Sequence, residues 1–189
     1  VINTQSASAV ALGFFNSAEF KNKELDDAAF VDTLYRALFY RAGDEDGTSY
    51  WLQQLSSGKL RDMVIWGFLR AEEFQTLSGS LGVTAVTAAD DVSFGVRALI
   101  ERFYTVVLER QPDQAGFDGW VSALSAKTLS GGDIAKAFLL SEEYIGRNTT
   151  NGEFVDATYQ AFFGRDADEA GRQGWLDVLS GGQSRESVL

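Results

Sequence analysis

The chain has 189 residues and a net charge of −11, with hydrophobic residues at 45% and aromatics at 13%. That is enough apolar side chain for a folded core, and it excludes an intrinsically disordered chain. Cysteine and histidine are both absent, which removes disulfides, thiolate nucleophiles, the commonest general base and the commonest transition-metal ligand.

In chain order, residues 1–20 read as the tail of a preceding repeat, ending in a helix that carries GFFNSAEF (13–20). Residues 21–75 read as a first repeat of three helices, at about 26–42, 45–56 and 60–75. In the first of these, Phe30, Val31, Leu34, Tyr35, Leu38 and Phe39 recur at the helical period. Residues 76–95 are rich in Ser, Gly, Thr and Val and read as an elongated connection. Residues 96–147 form a second repeat, with helices at about 94–110, 114–126 and 131–146. Residues 148–189 form a truncated third, with helices at about 151–165 and 168–180 and the start of a last one. The chain begins with Val1 and stops inside this third copy, so a longer parent protein is expected. No segment alternates as a strand does. The expected fold is all-α: tandem three-helix repeats packed into a helical bundle or short solenoid-like array.

The repeat rests on matched columns. Arg41, Arg110 and Arg165 each open the pattern R-x-x-D-x-x-G-x-x-x-W-x-x-x-L, which continues through Asp44, Asp113 and Asp168, then Gly47, Gly116 and Gly171. It closes on Trp51, Trp120 and Trp175 and on Leu55, Leu124 and Leu179. Upstream, FVDTLYRALFYR (30–41), LIERFYTVVLER (99–110) and FVDATYQAFFGR (154–165) align. Downstream, GFLRAEEF (67–74) and AFLLSEEY (137–144) repeat the ending first seen at 13–20. The arginine suits the negative end of the helix it terminates, and can pair with the aspartate three residues on. The tryptophan and leucine lie one turn apart on one face and read as core. Glu19, Glu73 and Glu143 recur before the last aromatic and read as solvated or cap-pairing carboxylates.

The acid-rich stretch RAGDEDG (41–47) invites a calcium reading, with Asp44 and Asp46 as ligands and with Asp166 and Asp168 as their counterparts in the third copy. Counted from Asp44, however, its glycine and its twelfth position do not fit an EF-hand loop. The second copy keeps only Asp113. What all three copies share is one aspartate placed to accept hydrogen bonds from the first turn of a helix. Calcium is the one cofactor left open.

Where the copies differ, the first carries Tyr40, Tyr50 and Trp66. The matched positions are Glu109 and Gly164, Gly119 and Gly174, and Lys136 and Leu12. Columns that accept lysine, glutamate or glycine are expected at the surface, where an aromatic cluster stacks on a sugar ring or anchors a protein. The other reading packs these three aromatics under the 76–95 connection.

The repeated R-x-x-D-x-x-G-x-x-x-W, the LYRALFYR-like helix and the closing F-L-x-S-x-E-F resemble a bacterial family of tandem helical domains of unknown function. That family occurs in large secreted and cell-surface proteins, including S-layer-like and haemolysin-type (RTX) proteins. The chain is also distantly similar to the phycobilisome linker domain, though only Arg110 is followed by a Gln-Pro step. The resemblance implies an all-helical, extracellular, non-catalytic module and brings no catalytic residue with it. The expected function is therefore a structural or adhesive module of a secreted or cell-surface protein, not an enzyme. Its partners would be a protein or a glycan, with self-association allowed. A glycan- or calcium-dependent ligand-binding domain is the alternative. The acidic balance argues against nucleic acid, and no apolar run reaches the roughly 18 residues of a membrane span.

Overall fold

In a computed structural model of the chain, residues 5–189 are described, so the first four residues of the expected 1–20 tail lie outside the description. Every regular element among the described residues is helical. The chain divides into two compact units, and the division falls after Gly95. The first repeat and its flanks make one unit; the second and third repeats together make the other.

The first unit contains α1 (Ala7–Phe15), α2 (Ala18–Lys21), α3 (Asp27–Phe39), α4 (Glu45–Ser56), α5 (Arg61–Arg70) and α6 (Glu72–Ser80). Four of their starts are fixed by side-chain caps. Ser6, Ser17, Asp26 and Asp44 accept from the backbone N–H of Ala9, Phe20, Ala29 and Gly47. The predicted face of α3 is the buried one: Phe30, Val31, Leu34, Tyr35, Leu38 and Phe39 all lie in the core. Phe15 and Phe20 belong to the same cluster as Phe30, Leu34, Val64 and Leu69. The tail thus closes the first repeat's core.

Two expectations are corrected here. The single helix expected at 60–75 is broken at Ala71, whose ψ of 142° is extended, so α5 stops and α6 starts there. Equivalent breaks fall at Ser17 and Ser141, where the serine hydroxyl caps the second helix through Phe20 N–H and Tyr144 N–H. The 76–95 stretch is also more helical than its composition suggested. Helix α6 runs on to Ser80, and α7 (Ala88–Arg102) begins well before the next repeat. The intervening strand of chain is tied to α1: Ala7 N–H donates to Thr84 O at 2.8 Å and Ser8 N–H to Ala85 O at 3.0 Å. The buried Asp90 carboxylate accepts from Ser6 Oγ at 2.6 Å, Thr87 N–H at 2.8 Å and Thr87 Oγ1 at 2.6 Å.

In the second unit, α7 gives way to a π-helical turn at Phe103–Val107, followed by α8 (Gln114–Ser125), α9 (Gly131–Leu139), α10 (Glu142–Ile145), α11 (Asn151–Phe163) and α12 (Glu169–Ser180). A 3₁₀ turn at Glu186–Val188 ends the chain. Ser130 with Asp133 and Thr150 with Glu153 form reciprocal capping boxes at α9 and α11. Helix α9 packs on both the π turn and α11, so the ending of the second repeat also serves the third. Arg102 donates to the Ala161 and Phe162 carbonyls at 2.9 and 3.2 Å and caps the end of α11.

Candidate functional site

The recurring columns converge on one arrangement, built twice in full and once in part. In the first copy, Arg41 follows the C-terminal end of α3. Its Nε and Nη2 donate to Glu73 Oε1 and Oε2 at 2.7 and 2.8 Å, and its Nη1 donates to Asp44 Oδ2 at 3.2 Å. The guanidinium lies over the Tyr35 ring, 5.1 Å from its centroid. Beneath it, Phe68 of α5 is 1% exposed. Its ring sits 4.8 Å from Tyr35, 5.2 Å from Phe39 and 5.1 Å from Trp51, on which it stacks. The closing segment α5–α6 is thus held by an aromatic knob in a three-ring socket, latched by a carboxylate on an arginine.

The second copy repeats this geometry, with Leu108 in the place of Phe39. Arg110 holds Glu143 through two bonds of 2.8 and 3.1 Å and covers Tyr104 at 5.1 Å. Phe138 sits 4.9 Å from Tyr104 and 5.4 Å from Trp120. The repeated glycine has its reason here. A methyl group on Gly47, Gly116 or Gly171 would lie 2.2, 2.7 or 2.7 Å from the hydroxyl of Tyr35, Tyr104 or Tyr159. Only glycine lets the tyrosine reach across the start of the next helix.

These contacts set the electrostatics. The side-chain bond from Arg41 holds the Glu73 carboxyl below the usual range, and Arg110 does the same for Glu143. Asp44 is held down first by the Gly47 N–H and then by Arg41. Burial pushes the Tyr35 and Tyr104 phenols up.

In the third copy the sequence reaches only Leu189, the counterpart of Ile65, so no counterpart of Phe68 is present and the socket is open. Tyr159, Phe163 and Trp175 take the places of Tyr35, Phe39 and Trp51. With Phe154, Val155, Thr158, Phe162, Val188 and Leu189 they line an apolar groove of about 340 Å³. Phe163 is 64% exposed and Trp175 is also exposed, whereas Phe39 is buried. Arg165 lies over Tyr159 and Phe163 at 5.8 and 5.7 Å and donates to the Asp166 carbonyl at 3.0 Å. Among the described residues it has no carboxylate partner. The register is confirmed lower in the groove: Arg185 covers Phe154 at 4.9 Å as Arg61 covers Phe30 at 4.7 Å. Val188 then occupies the place that Val64 holds in the first copy.

The residues singled out from sequence fare differently. Of the two readings open for Trp66, the packed one holds: it is 1% exposed and its ring packs on Phe94 at 5.6 Å, under the stretch unique to the first copy. Arg70 also lies over Phe94, 4.5 Å from its centroid, and pairs with Asp91. Trp66 is therefore removed as a surface contact, and no three-aromatic cluster forms. Tyr40 is 73% exposed, because it is the left-handed residue (φ 55°) that ends α3. Tyr50 is exposed and edges onto Trp51 at 4.9 Å.

Of the acids, Asp44 and Asp168 cap α4 and α12, accepting from Gly47 and Gly171 N–H at 2.8 and 2.9 Å. Asp166 accepts from Gln160 Nε2 at 2.6 Å, and Asp46 lies exposed in the first turn of α4. Among the described residues no group of three carboxylates is gathered as a metal site would require. The arginine–glutamate latch was not foreseen. Its signal was present in the sequence, since both partners recur in register, but the pairing spans residues far apart along the chain.

Comparison with known proteins adds one match. A family model described as a domain of unknown function (DUF4214) fits residues 10–78, 93–148 and 135–189. Residues 135–148, which contain most of α9 and all of α10, fall in both of the last two segments, as expected if a closing helix belongs to the repeats on either side of it. No curated protein and no solved structure matches the chain. Most of its length falls within the three segments, so the chain belongs to the DUF4214 family and carries that domain in tandem.

Proposed function

We propose that the chain is a non-catalytic interaction module built of repeats, each of which seats an amphipathic closing helix of the repeat type in an aromatic socket. The setting implied by the sequence resemblance is a structural or adhesive region of a large secreted or cell-surface bacterial protein. One observation carries the proposal. The socket that buries Phe68 and Phe138 in the first two copies recurs at Tyr159, Phe163 and Trp175, with the cation of Arg165 at its rim, in a third copy whose residues reach only the counterpart of Ile65. An apolar groove with a charged rim suits a helix laid in by its apolar face. The recurrent aspartates, Asp44, Asp113 and Asp168, cap the fold's own helices.

The test is a calorimetric titration with a peptide of residues 130–147, which carries Phe138 and Glu143 in the closing arrangement. Saturable binding is expected, with loss of binding when the chain carries Trp175→Ala or Arg165→Glu, or when the peptide carries Phe138→Ala. Absence of binding at millimolar peptide, or equal binding by the Trp175→Ala chain, removes the proposal. In parallel, calcium is expected to leave the melting temperature unchanged, and a glycan array is expected to give no signal that depends on Tyr40 or Tyr50.

A further inference from the structure

Residues 6–65 align with residues 130–189 without a gap, and the capping residues Ser6, Ser17, Asp26 and Asp44 fall on Ser130, Ser141, Thr150 and Asp168. Within this shared frame the first unit holds a cleft of about 120 Å³, where α1 and α2 meet the start of α5. The rings of Phe15, Phe20 and Phe30 and the side chain of Ile65 line it, and all four are buried. Asn16, half-buried, and Lys21, exposed, line its solvent side. Their counterparts in the other unit are Leu140 and Ile145. The frame therefore accepts aliphatic side chains at both positions, and neither the amide nor the ammonium is a requirement of the fold. None of the socket residues Tyr35, Phe39 and Trp51 lines this cleft.

We infer that this cleft binds a small monocarboxylate with a compact apolar body, a single ring or a short branched chain. Size sets the body: an apolar cavity of about 150 Å³ takes one benzene ring. Charge sets the head. Arg61 is already engaged, its Nη2 donating to Leu25 O at 2.7 Å and to Asp27 Oδ1 at 2.6 Å while the guanidinium lies 4.7 Å from the Phe30 centroid. Lys23 lies over the Phe20 ring at 5.9 Å. Lys21 has no ion-pair partner among the described residues, so its ammonium is left to meet a carboxylate, with the Asn16 amide as a second donor. Asp62 also lines the cleft and opposes a second negative charge, which limits the ligand to one acid group. Apolar rings inside and a few polar groups outside are the usual division of labour in a ligand site. A ligand this small is held weakly, with a Kd on the order of 1 mM.

Titration of the intact chain with sodium benzoate, followed in ¹H–¹⁵N spectra against sodium chloride at equal ionic strength, tests this. The Asn16 side-chain amide and the Lys21 backbone amide are expected to shift and saturate with benzoate and to stay in place with chloride. Benzyl alcohol, which keeps the ring and lacks the charge, is expected to bind about fivefold more weakly or worse. Lys21→Ile is expected to weaken benzoate by a similar factor, and Asn16→Leu to abolish binding by filling the cleft. Both variants install the side chain that the other unit carries at the matched position, and an unchanged melting temperature confirms that each is folded. Lys21→Ile, at an exposed position, keeps the test decisive if Asn16→Leu does not fold. Shifts that never saturate, or that chloride reproduces, overturn the site. Saturable binding that is equal in folded Asn16→Leu overturns its location. Equal affinity for benzoate and benzyl alcohol, or for benzoate in Lys21→Ile and the unaltered chain, overturns the carboxylate as the ligand class.

Discussion

Arg110 stands to Glu143 as Arg41 stands to Glu73: the guanidinium is gripped on both carboxylate oxygens and laid over the ring of the tyrosine six residues before it. The pair joins the end of the repeat's first helix to its closing segment. Both side chains remain partly exposed, so the latch is a modest contributor by itself. A double-mutant cycle on Arg41→Ala and Glu73→Ala in urea is expected to give a coupling of about 0.5–1 kcal/mol. Arg41→Lys should recover little of it, because an ammonium cannot make the paired bonds or lie flat on Tyr35. A coupling indistinguishable from zero would reduce the latch to decoration.

Gly47 lies in the first turn of α4, where helix propensity alone favours alanine by about 1 kcal/mol. The Tyr35 hydroxyl occupies the space a methyl would need. Gly47→Ala is therefore expected to destabilise by about 1–3 kcal/mol, with most of the loss recovered in Gly47→Ala/Tyr35→Phe. Gly119, inside α8 with open space around it, provides the opposite sign: Gly119→Ala should stabilise by about 0.5–1 kcal/mol. Chemical denaturation of the four proteins checks both directions.

Tyr40 holds a left-handed backbone at a position where the third copy has Gly164, with φ 63°. A side chain in that region costs about 1–2 kcal/mol, and Tyr40 makes little contact in return. Tyr40→Gly is expected to raise stability by about 1 kcal/mol, less the extra freedom glycine gives the unfolded chain. A loss of stability would mean that the exposed ring carries packing not apparent from its position.

Acid and alkali should act on the fold from opposite sides. Asp44, Glu73 and Glu143 are held low by the contacts described above. For Asp90, burial pushes the carboxyl up, but the hydrogen bonds from Ser6 and Thr87 outweigh it and leave it low. A depressed carboxyl adds stability that is present above its unfolded pKa of about 4 and is lost as pH falls through the folded value. Tyr35 and Tyr104 are raised by burial, so their contribution is complete below about pH 10 and is lost as pH rises through the folded values. With no histidine in the chain, the melting temperature is expected to be flat from about pH 6 to 8 and to fall on either side. Asp90→Asn should cost about 1–3 kcal/mol at neutral pH and flatten the acid limb. A titration step near neutrality would contradict this assignment.

Much of the fold was legible because it depends on local pattern. The buried stripe of α3 and the capping aspartates at 44, 113 and 168 follow from spacing within a few residues. The breaks within the closing segments were legible in part: Ser17 and Ser141 are cap residues in the middle of an apolar run, but Ala71 offers no such signal and breaks by analogy with them. Of the two readings of Trp66, the surface one fails because its matched neighbours, Lys136 and Leu12, lack anything like Phe94 to cover them; a column predicts burial only where the surroundings are also repeated. The latch and the open socket depend on contacts between distant segments, and these no local period reveals. The third copy reads like the others as far as Leu189, three columns short of the ring that fills the socket in the first copy.

The most direct test is the indole region of the ¹H–¹⁵N spectrum during titration with the 130–147 peptide. Trp51 and Trp120 already hold Phe68 and Phe138, and Trp66 is buried under Phe94. The Trp175 indole resonance is expected to shift and saturate while the other three stay in place. An unmoved Trp175 resonance at saturating peptide, or equal shifts of all four, would contradict the account of one open socket among three.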